Sequence, residues 1–568
     1  MNTSKLKRKV KEVLPVGASV MILDALAGRL PLQRAFSRPL RRTIARLEHG
    51  EDATVAGGAL RPRVATVAER FDAWEERDAA LLRARGALDA AGIEYALLPG
   101  RYGTRTVVVR APDKVRAILA LEAHRPGEGA WHLAPARRPR SAMRLGGIAA
   151  SRLHRAAVER YAEFVLFDHR IAPSGKVFGD VGCGVEISFW EELHDDALPR
   201  PDGCEHEPGT ILAPSGNGIA AYLSPAAWSR AMASPDRWPE SASLPHIYRI
   251  TEPIDAVYTW VDGDDPAWRR RKNTALGSTD ADALNETAAN PSRYASRDEL
   301  RYSLRSLEMY ANWVRNIYIV TDDQVPPWLD TTNPRIRVID HRQIFSDPGV
   351  LPVFNSHAIE SQLHHIDGLS RQFLYLNDDV LFGDLVQPAD FFLSPTLSRY
   401  FPSSACLDID PPSSRDIPVL SAAKNARSLI AEEFGATITN KFKHTPMPLQ
   451  RDVLDEMEAR FPELFERVAA SKFRHPADYS IASGLYHYYA FATGRAVPGS
   501  IAYGYQDISR EDLPFFLTRL EIGHPYRVFC LNDTDSTEEQ IAALTPSITA
   551  TMQACYPFPS SFEKSPHG

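Results

Sequence analysis

Three apolar runs in the second half of the chain each stop at an acidic turn. IDAVYTWV leads into Asp262, Asp264 and Asp265, NIYIVT into Asp322 and Asp323, and RQFLYLN into Asp378 and Asp379. Short apolar runs bounded by turn formers read as buried strands. Helical stretches separate them, chiefly 297–311, where Leu300, Leu304 and Leu307 share a face and Ser296 and Glu299 have capping-box spacing. Strands alternating with helices predict an α/β domain whose mixed, mainly parallel sheet is covered on both faces. Ligands bind such sheets beyond the carboxyl ends of the strands. Carboxylates gathered there repel one another unless a cation lies among them. One acidic turn is usually only a turn. Three in one domain favour a hard divalent ion shared with a phosphate-bearing ligand, above all at Asn377-Asp378-Asp379, which follows the apolar FLYL.

At 568 residues the chain exceeds a single core. It reads as a basic segment (1–60), an α+β domain of unassigned role (61–250), the acidic-turn domain (251–520) and an irregular tail (521–568). In the second of these, a helix is expected at 64–92, then strands in EYALLPG and RTVVVRAP, a helix in DKVRAILALEAH, and strands in AEFVLFDHRIA and GVEISFWEEL. The formal charge of −7 gives no general field for nucleic acid. Residues 1–50 depart from that balance, with eleven Lys and Arg against three Asp and Glu. Asp24 and Arg29 interrupt the apolar stretch there, so it makes no spanning helix. It reads either as peripheral contact with an anionic inner leaflet or as a tail packed on the protein. The five cysteines form no C-x-x-C pair, and a reducing, cytoplasmic setting suits them. No G-x-G-x-x-G opens a helix, and neither a P-loop nor a nucleophile elbow occurs.

A phosphate ligand also needs cations. Arg297, Arg301 and Arg305 fall on one helical stripe, and Arg474-His475 and Lys441, Lys443 and His444 form two further groups. Histidine can exchange protons near neutral pH. In HAIESQLHH, His357, Glu360 and His364 share a helical face. The spacing is not H-E-x-x-H, so polar lining is the better reading than zinc.

Longer blocks carry a resemblance. IDAVYTWVDGDDPAW, RYASRDELRYSLRSLEMYANWVRNIYIVTDDQVPPWL, LPVFNSHAIESQLHHIDGLSRQFLYLNDDVLFG, and KHTPMPLQRDVLDEMEARFPELFERV with SKFRHPADYSIASGLYHYYAFATG occur in this order over about 254–500. They resemble the Stealth family of hexose-1-phosphate transferases. The resemblance implies a GT-A-like nucleotide-sugar transferase core, a UDP-sugar donor, a polysaccharide acceptor and Mg²⁺ or Mn²⁺. It implies catalytic roles for Asp379, His444 and Arg474, with Asp378 and Asp379 on the metal. It places Trp260, Asp262, Arg301, Asn355, His357, Glu360 and Asp478 around the substrate; Asp262 stands where animal members carry Asn. The implied activity is exopolysaccharide phosphotransfer with release of UMP, and either His444 or Asp379 takes the acceptor proton. The alternatives are a glycosyltransferase releasing UDP and a non-catalytic glycan-binding protein.

Overall fold

The structure, a computed structural model, describes residues 16–27, 53–56, 63–100, 103–124, 131–136, 143–144, 152–193, 206–214, 220–239, 243–277, 294, 296–413, 415–533 and 536–565. Most of the basic segment lies outside these residues. Among them, no helix is long and apolar enough to cross a membrane. The chain divides into two compact units between Arg249 and Ile250.

In the smaller unit, β1 (Tyr95–Pro99) and β2 (Arg105–Arg110) form a hairpin, and β3 (Trp131–Pro135) pairs with β4 (Glu163–Asp168). β5 (Val185–Glu192) joins the two pairs, running parallel to β2 and antiparallel to β4. Helices α1 (Ala73–Ala90) and α2 (Lys114–Ala123) bring Ala80, Ala84, Leu88, Ile118 and Leu121 to one core. Helix α3 (Pro225–Ala233) packs Trp228 with Leu98, Val108 and Trp190 in another. The helix expected from 64 begins only at Ala73, because Arg63–Val67 is a strand and Asp72 caps the helix, accepting from the Trp74 and Glu75 N–H groups.

The larger unit is built on five strands: β6 (Ile254–Thr259), β7 (Ile317–Thr321), β8 (Ile336–Asp340), β9 (Gln372–Asn377) and β11 (Met447–Gln450). Their order is β8-β7-β6-β9-β11, all parallel except β11. This is the mixed, mainly parallel sheet expected from the sequence. The chain steps from β6 outward to β7 and β8, then returns to place β9 on the other side of β6. That reversal opens a crevice at the carboxyl ends of β6 and β9.

After β9 the chain turns through Asp378 and Asp379 into β10 (Val380–Phe382). A second small sheet follows, in which β13 (Val528–Asn532) pairs antiparallel with β10 and parallel with β12 (Tyr503–Asp507). The expected tail is therefore structured: VFCLN is an interior strand and helix α8 (Glu538–Cys555) follows it. Its apolar run is as short as an edge segment, and its partners lie far away in sequence.

Helix α4 (Pro266–Gly277) follows β6, and helix α5 (Glu299–Tyr310) supports the acidic turn. α5 buries Leu300, Leu304 and Leu307, as the spacing predicts; truncating a buried Leu costs about 2–5 kcal/mol. Its two small serines let it approach β10 closely. Ser303 Oγ donates to the Val380 carbonyl at 2.6 Å, and Ser306 Oγ accepts from the Phe382 N–H at 2.9 Å. The expected capping box does not form. Asp298 occupies the N-cap position in the left-handed region, φ 62°, with no capping bond from its side chain, and the Glu299 carboxylate turns back to Arg297. The helix expected over His357–His365 is split into α6 (Ser356–Glu360) and a 3₁₀ turn at Leu363–His365.

Candidate active site

Five strand ends converge on one cavity of about 220 Å³, with His341 entering just after β8. Thr259 and Trp260 come from β6, Asp322 from β7, Asn377, Asp378 and Asp379 from β9, and Leu531, Asn532 and Asp533 from the end of β13. Arg297 and Glu299 enter from the start of α5, Ser356 and Ile359 from α6, and Arg474 from the loop before the last helices. Trp268, Tyr294 and Phe354 give the cavity an aromatic part, with Trp268 ring centroids 5.1 Å from Tyr294 and 5.3 Å from Phe354.

The electrostatics are unbalanced. Burial pushes the Asp378 carboxyl well above its ordinary range, and the carboxylates of Glu299 and Asp379 push it further. Burial likewise raises Glu299, although Arg297 pulls the other way. Arg297 also pairs with Asp533, and Arg271 holds Asp322 at 2.8 Å. Asp379 accepts from Cys530 Sγ at 3.2 Å through Oδ2, while its buried Oδ1 has no hydrogen-bond partner among the described residues. Two like carboxylates on consecutive residues, one with an idle oxygen, form a site with excess negative charge and open acceptor capacity. Arg474 makes one hydrogen bond among the described residues, to Ser356 Oγ at 2.8 Å, and no ion pair. Its burial lowers its pKa, which Glu360 opposes.

The sequence-predicted residues separate into three groups. Asp378, Asp379, Arg474 and Trp260 line the cavity together. His444 reaches it through intermediaries. His444 Nε2 lies 2.8 Å from Asn377 Nδ2, and Nδ1 lies 3.2 Å from Cys530 Sγ, so the ring is tied to the same turn but does not line the cavity. Asn355, His357, Glu360 and Asp478 form a buried scaffold behind the cavity rather than its lining. Asn355 caps α6 and donates to Asp478 Oδ2 at 2.8 Å, with His357 Nδ1 3.8 Å from that oxygen. Glu360 accepts from the Ser483 hydroxyl at 2.6 Å and from its N–H at 3.2 Å.

Asp262 and Arg301 lie apart from the cavity. Asp262 does not line the cavity: its Oδ1 accepts from the Asp264 N–H at 2.9 Å, the ordinary work of a turn Asp. Arg301 points away, its Nε donating to Glu563 at 2.6 Å beside Arg305, which binds both oxygens of that carboxylate. The C-terminal segment covers that stripe of α5, leaving only Arg297 to the cavity.

Several lining residues escaped the sequence reading. Asp533 and His341 each follow a strand, so the rule that singled out Asp378 would have reached them. Burial pushes the His341 imidazole down to about 4, which Asp322 and Asp340 offset only in part. Glu299 read as a helix cap, and Trp268 gave no signal beyond its apolar character.

Comparisons with known proteins place the chain among its relatives. Residues 252–280, 293–400 and 443–491 match Stealth protein conserved regions 1, 2 and 3. The second and third of the four sequence blocks both fall within region 2. An exopolysaccharide phosphotransferase of Streptomyces coelicolor is 40% identical over 98% of this chain and 95% of its own. The exopolysaccharide phosphotransferase CpsY of Mycobacterium tuberculosis is 35% identical over 70% of this chain and 73% of its own. A crystal structure of the galactosyltransferase LgtC with donor and acceptor sugar analogs aligns with 53% of this chain and 96% of its own, at 12% identity and a TM-score of 0.27. The Streptomyces match runs through the smaller unit as well as the conserved regions, and the chain belongs to the Stealth family, among proteins named exopolysaccharide phosphotransferases.

Proposed function

We propose that this enzyme moves a sugar-1-phosphate from a UDP-sugar to a hydroxyl of a polysaccharide, releasing UMP. The observation that carries the reading is the joint presence, in one cavity, of paired acidic residues, a guanidinium without an ion-pair partner among the described residues, and an aromatic cluster. The aromatic rings suit a nucleobase, and Arg474 suits phosphate oxygens, which its planar fork can meet in pairs.

In the proposed step the acceptor oxygen attacks the β-phosphorus. A new O–P bond forms, the bond from that phosphorus to the bridging oxygen breaks, and UMP departs with the electron pair. The sugar's anomeric bond is untouched. Asp379, which lines the cavity, takes the hydroxyl proton on its carboxylate. His444 acts as a positioning residue, since both ring nitrogens already face Asn377 and Cys530. Arg474 stabilises charge on the transferring group.

The acidic turn fits a hard dication. Asp378 is raised by burial and by like-charged neighbours, a strain that a bound cation relieves. Asp378, in the field of Glu299 and Asp379, would hold Mg²⁺ or Mn²⁺, which would neutralise phosphate charge when bound.

The test is incubation with a panel of UDP-sugars and an exopolysaccharide acceptor, followed by phosphorus NMR and nucleotide analysis. A new phosphodiester with stoichiometric UMP is expected. Release of UDP with no phosphorus in the polymer would replace the reading by ordinary glycosyl transfer.

A further inference from the structure

Outside the cavity, three metal-ligating side chains meet at one point. His364 and His365 occupy the 3₁₀ turn after α6, and Glu458 lies on helix α7 (Arg451–Arg460). His364 Nε2 and His365 Nε2 each lie 2.7 Å from the same oxygen, Glu458 Oε2. None of the three lines the cavity.

The hydrogen-bond inventory does not close without a cation. His365 Nδ1 lies 2.8 Å from the Ile344 carbonyl, which can only accept, so Nδ1 carries a hydrogen. A neutral ring then has a bare lone pair on Nε2, aimed at a carboxylate that also only accepts. Something positive must lie between them: a second proton on His365, or a metal ion. His364 adds a second imidazole nitrogen to the same oxygen from a fully buried side chain, with its Nδ1 buried and without a hydrogen-bond partner among the described residues. An Nδ1–H held by a backbone carbonyl, with Nε2 facing outward, is how a ligating histidine is oriented.

We infer that His364, His365 and Glu458 form a binding site for a zinc-class divalent ion. The ligand atoms all lie within 4.8 Å of one another. Two imidazoles and a carboxylate suit zinc and its transition-metal neighbours rather than Mg²⁺. With bonds near 2.0–2.1 Å in tetrahedral geometry, ligand atoms stand about 3.3 Å apart. The contacts would therefore widen, and Glu458, 28% exposed, can yield outward. Asp455, exposed one turn earlier on α7, acts on both imidazoles and leaves an acidic, open side for a fourth ligand. The bound ion would clamp the turn behind α6, whose Ser356 and Ile359 line the cavity, to α7.

The test uses the full chain stripped with chelator and titrated with zinc alone against a chromophoric competitor. Wild type and Asp379→Asn should each bind about one tight zinc per chain that the His365→Asn/Glu458→Gln double variant does not bind. Zinc should also raise the melting temperature of the first two only. Cobalt(II) added to wild type should give the intense visible bands of a four-coordinate ion, a readout that does not depend on the variant folding. Equal zinc uptake by the double variant, no uptake by wild type, or a six-coordinate cobalt spectrum would overturn the site and leave His365 as an imidazolium paired with Glu458.

Discussion

The two rims of the central sheet treat a buried carboxylate in opposite ways. At the amino rim, Asp255 on β6 is fully buried and fully matched. It accepts from Arg315 Nε at 2.8 Å and Nη2 at 2.6 Å, from the Asn316 N–H at 3.1 Å and from the Ser370 N–H at 2.7 Å. At the carboxyl rim, Asp378 is raised by its acidic neighbours and Asp379 keeps an unused oxygen. One rim ties the sheet to its surrounding loops. The other leaves charge uncompensated, and uncompensated charge in a cavity is the mark of a site that awaits a ligand.

The contrast breaks most decisively at Asp379. Asp379→Asn should lower turnover by about 10³-fold or more while the far-ultraviolet circular dichroism stays native. Retention of wild-type turnover would remove Asp379 from the chemistry. Arg474→Lys keeps the charge but loses the fork, and a fall of about 100-fold in kcat/KM is expected. At the opposite rim, Asp255→Asn should leave turnover per folded molecule unchanged. It should cost roughly 2–4 kcal/mol in urea unfolding, because Arg315 and two N–H groups lose a buried charge.

Asp378→Asn sharpens the comparison through pH. A carboxyl raised in the folded state holds its proton where the unfolded chain has released it. Stability therefore falls as pH climbs from the ordinary carboxylate range, near 4, through the raised value. Replacing Asp378 by Asn removes that loss. The metal-free variant should melt about 2–4 °C higher than wild type at neutral pH, with the gap closing in acid, even as activity is lost. An unchanged or lower melting point at neutral pH would show that Asp378 is not destabilised by its neighbours. The smallest effect belongs to Asp262→Ala, which loses only the bond from the Asp264 N–H. Activity within about threefold of wild type and a stability loss of about 0.5–1 kcal/mol are expected.

Local pattern made β6, β7 and β9 readable, because apolar runs ending in acidic turns depend on a few neighbouring residues. It made Asp378 and Asp379 readable for the same reason. What covers a helix face was not readable. Arg297 and Arg301 looked equivalent on their stripe, but Glu563, from the C-terminal segment, takes Arg301 and leaves Arg297 to the cavity. Nor could spacing separate residues that touch a ligand from those that hold its pocket: Asn355 and Glu360 fell near the site for the sake of Ser471, Ser483 and Asp478. Asp262 and Asp379 both stand in acidic turns after apolar strands, and only the structure shows that the Asp264 N–H occupies Asp262 while Asp379 keeps one oxygen without a hydrogen-bond partner among the described residues.

The wall formed by Leu531, Asn532 and Asp533 carries a consequence for biosynthesis. All three conserved regions end by residue 491, before β13 is made. A nascent chain that has emerged only that far contains the sequence of all five sheet strands but not the segment that supplies Leu531, Asn532 and Asp533 to the cavity. The cavity wall is thus among the last parts of the site to be synthesised, and a prematurely terminated product would keep the family signature while lacking that wall.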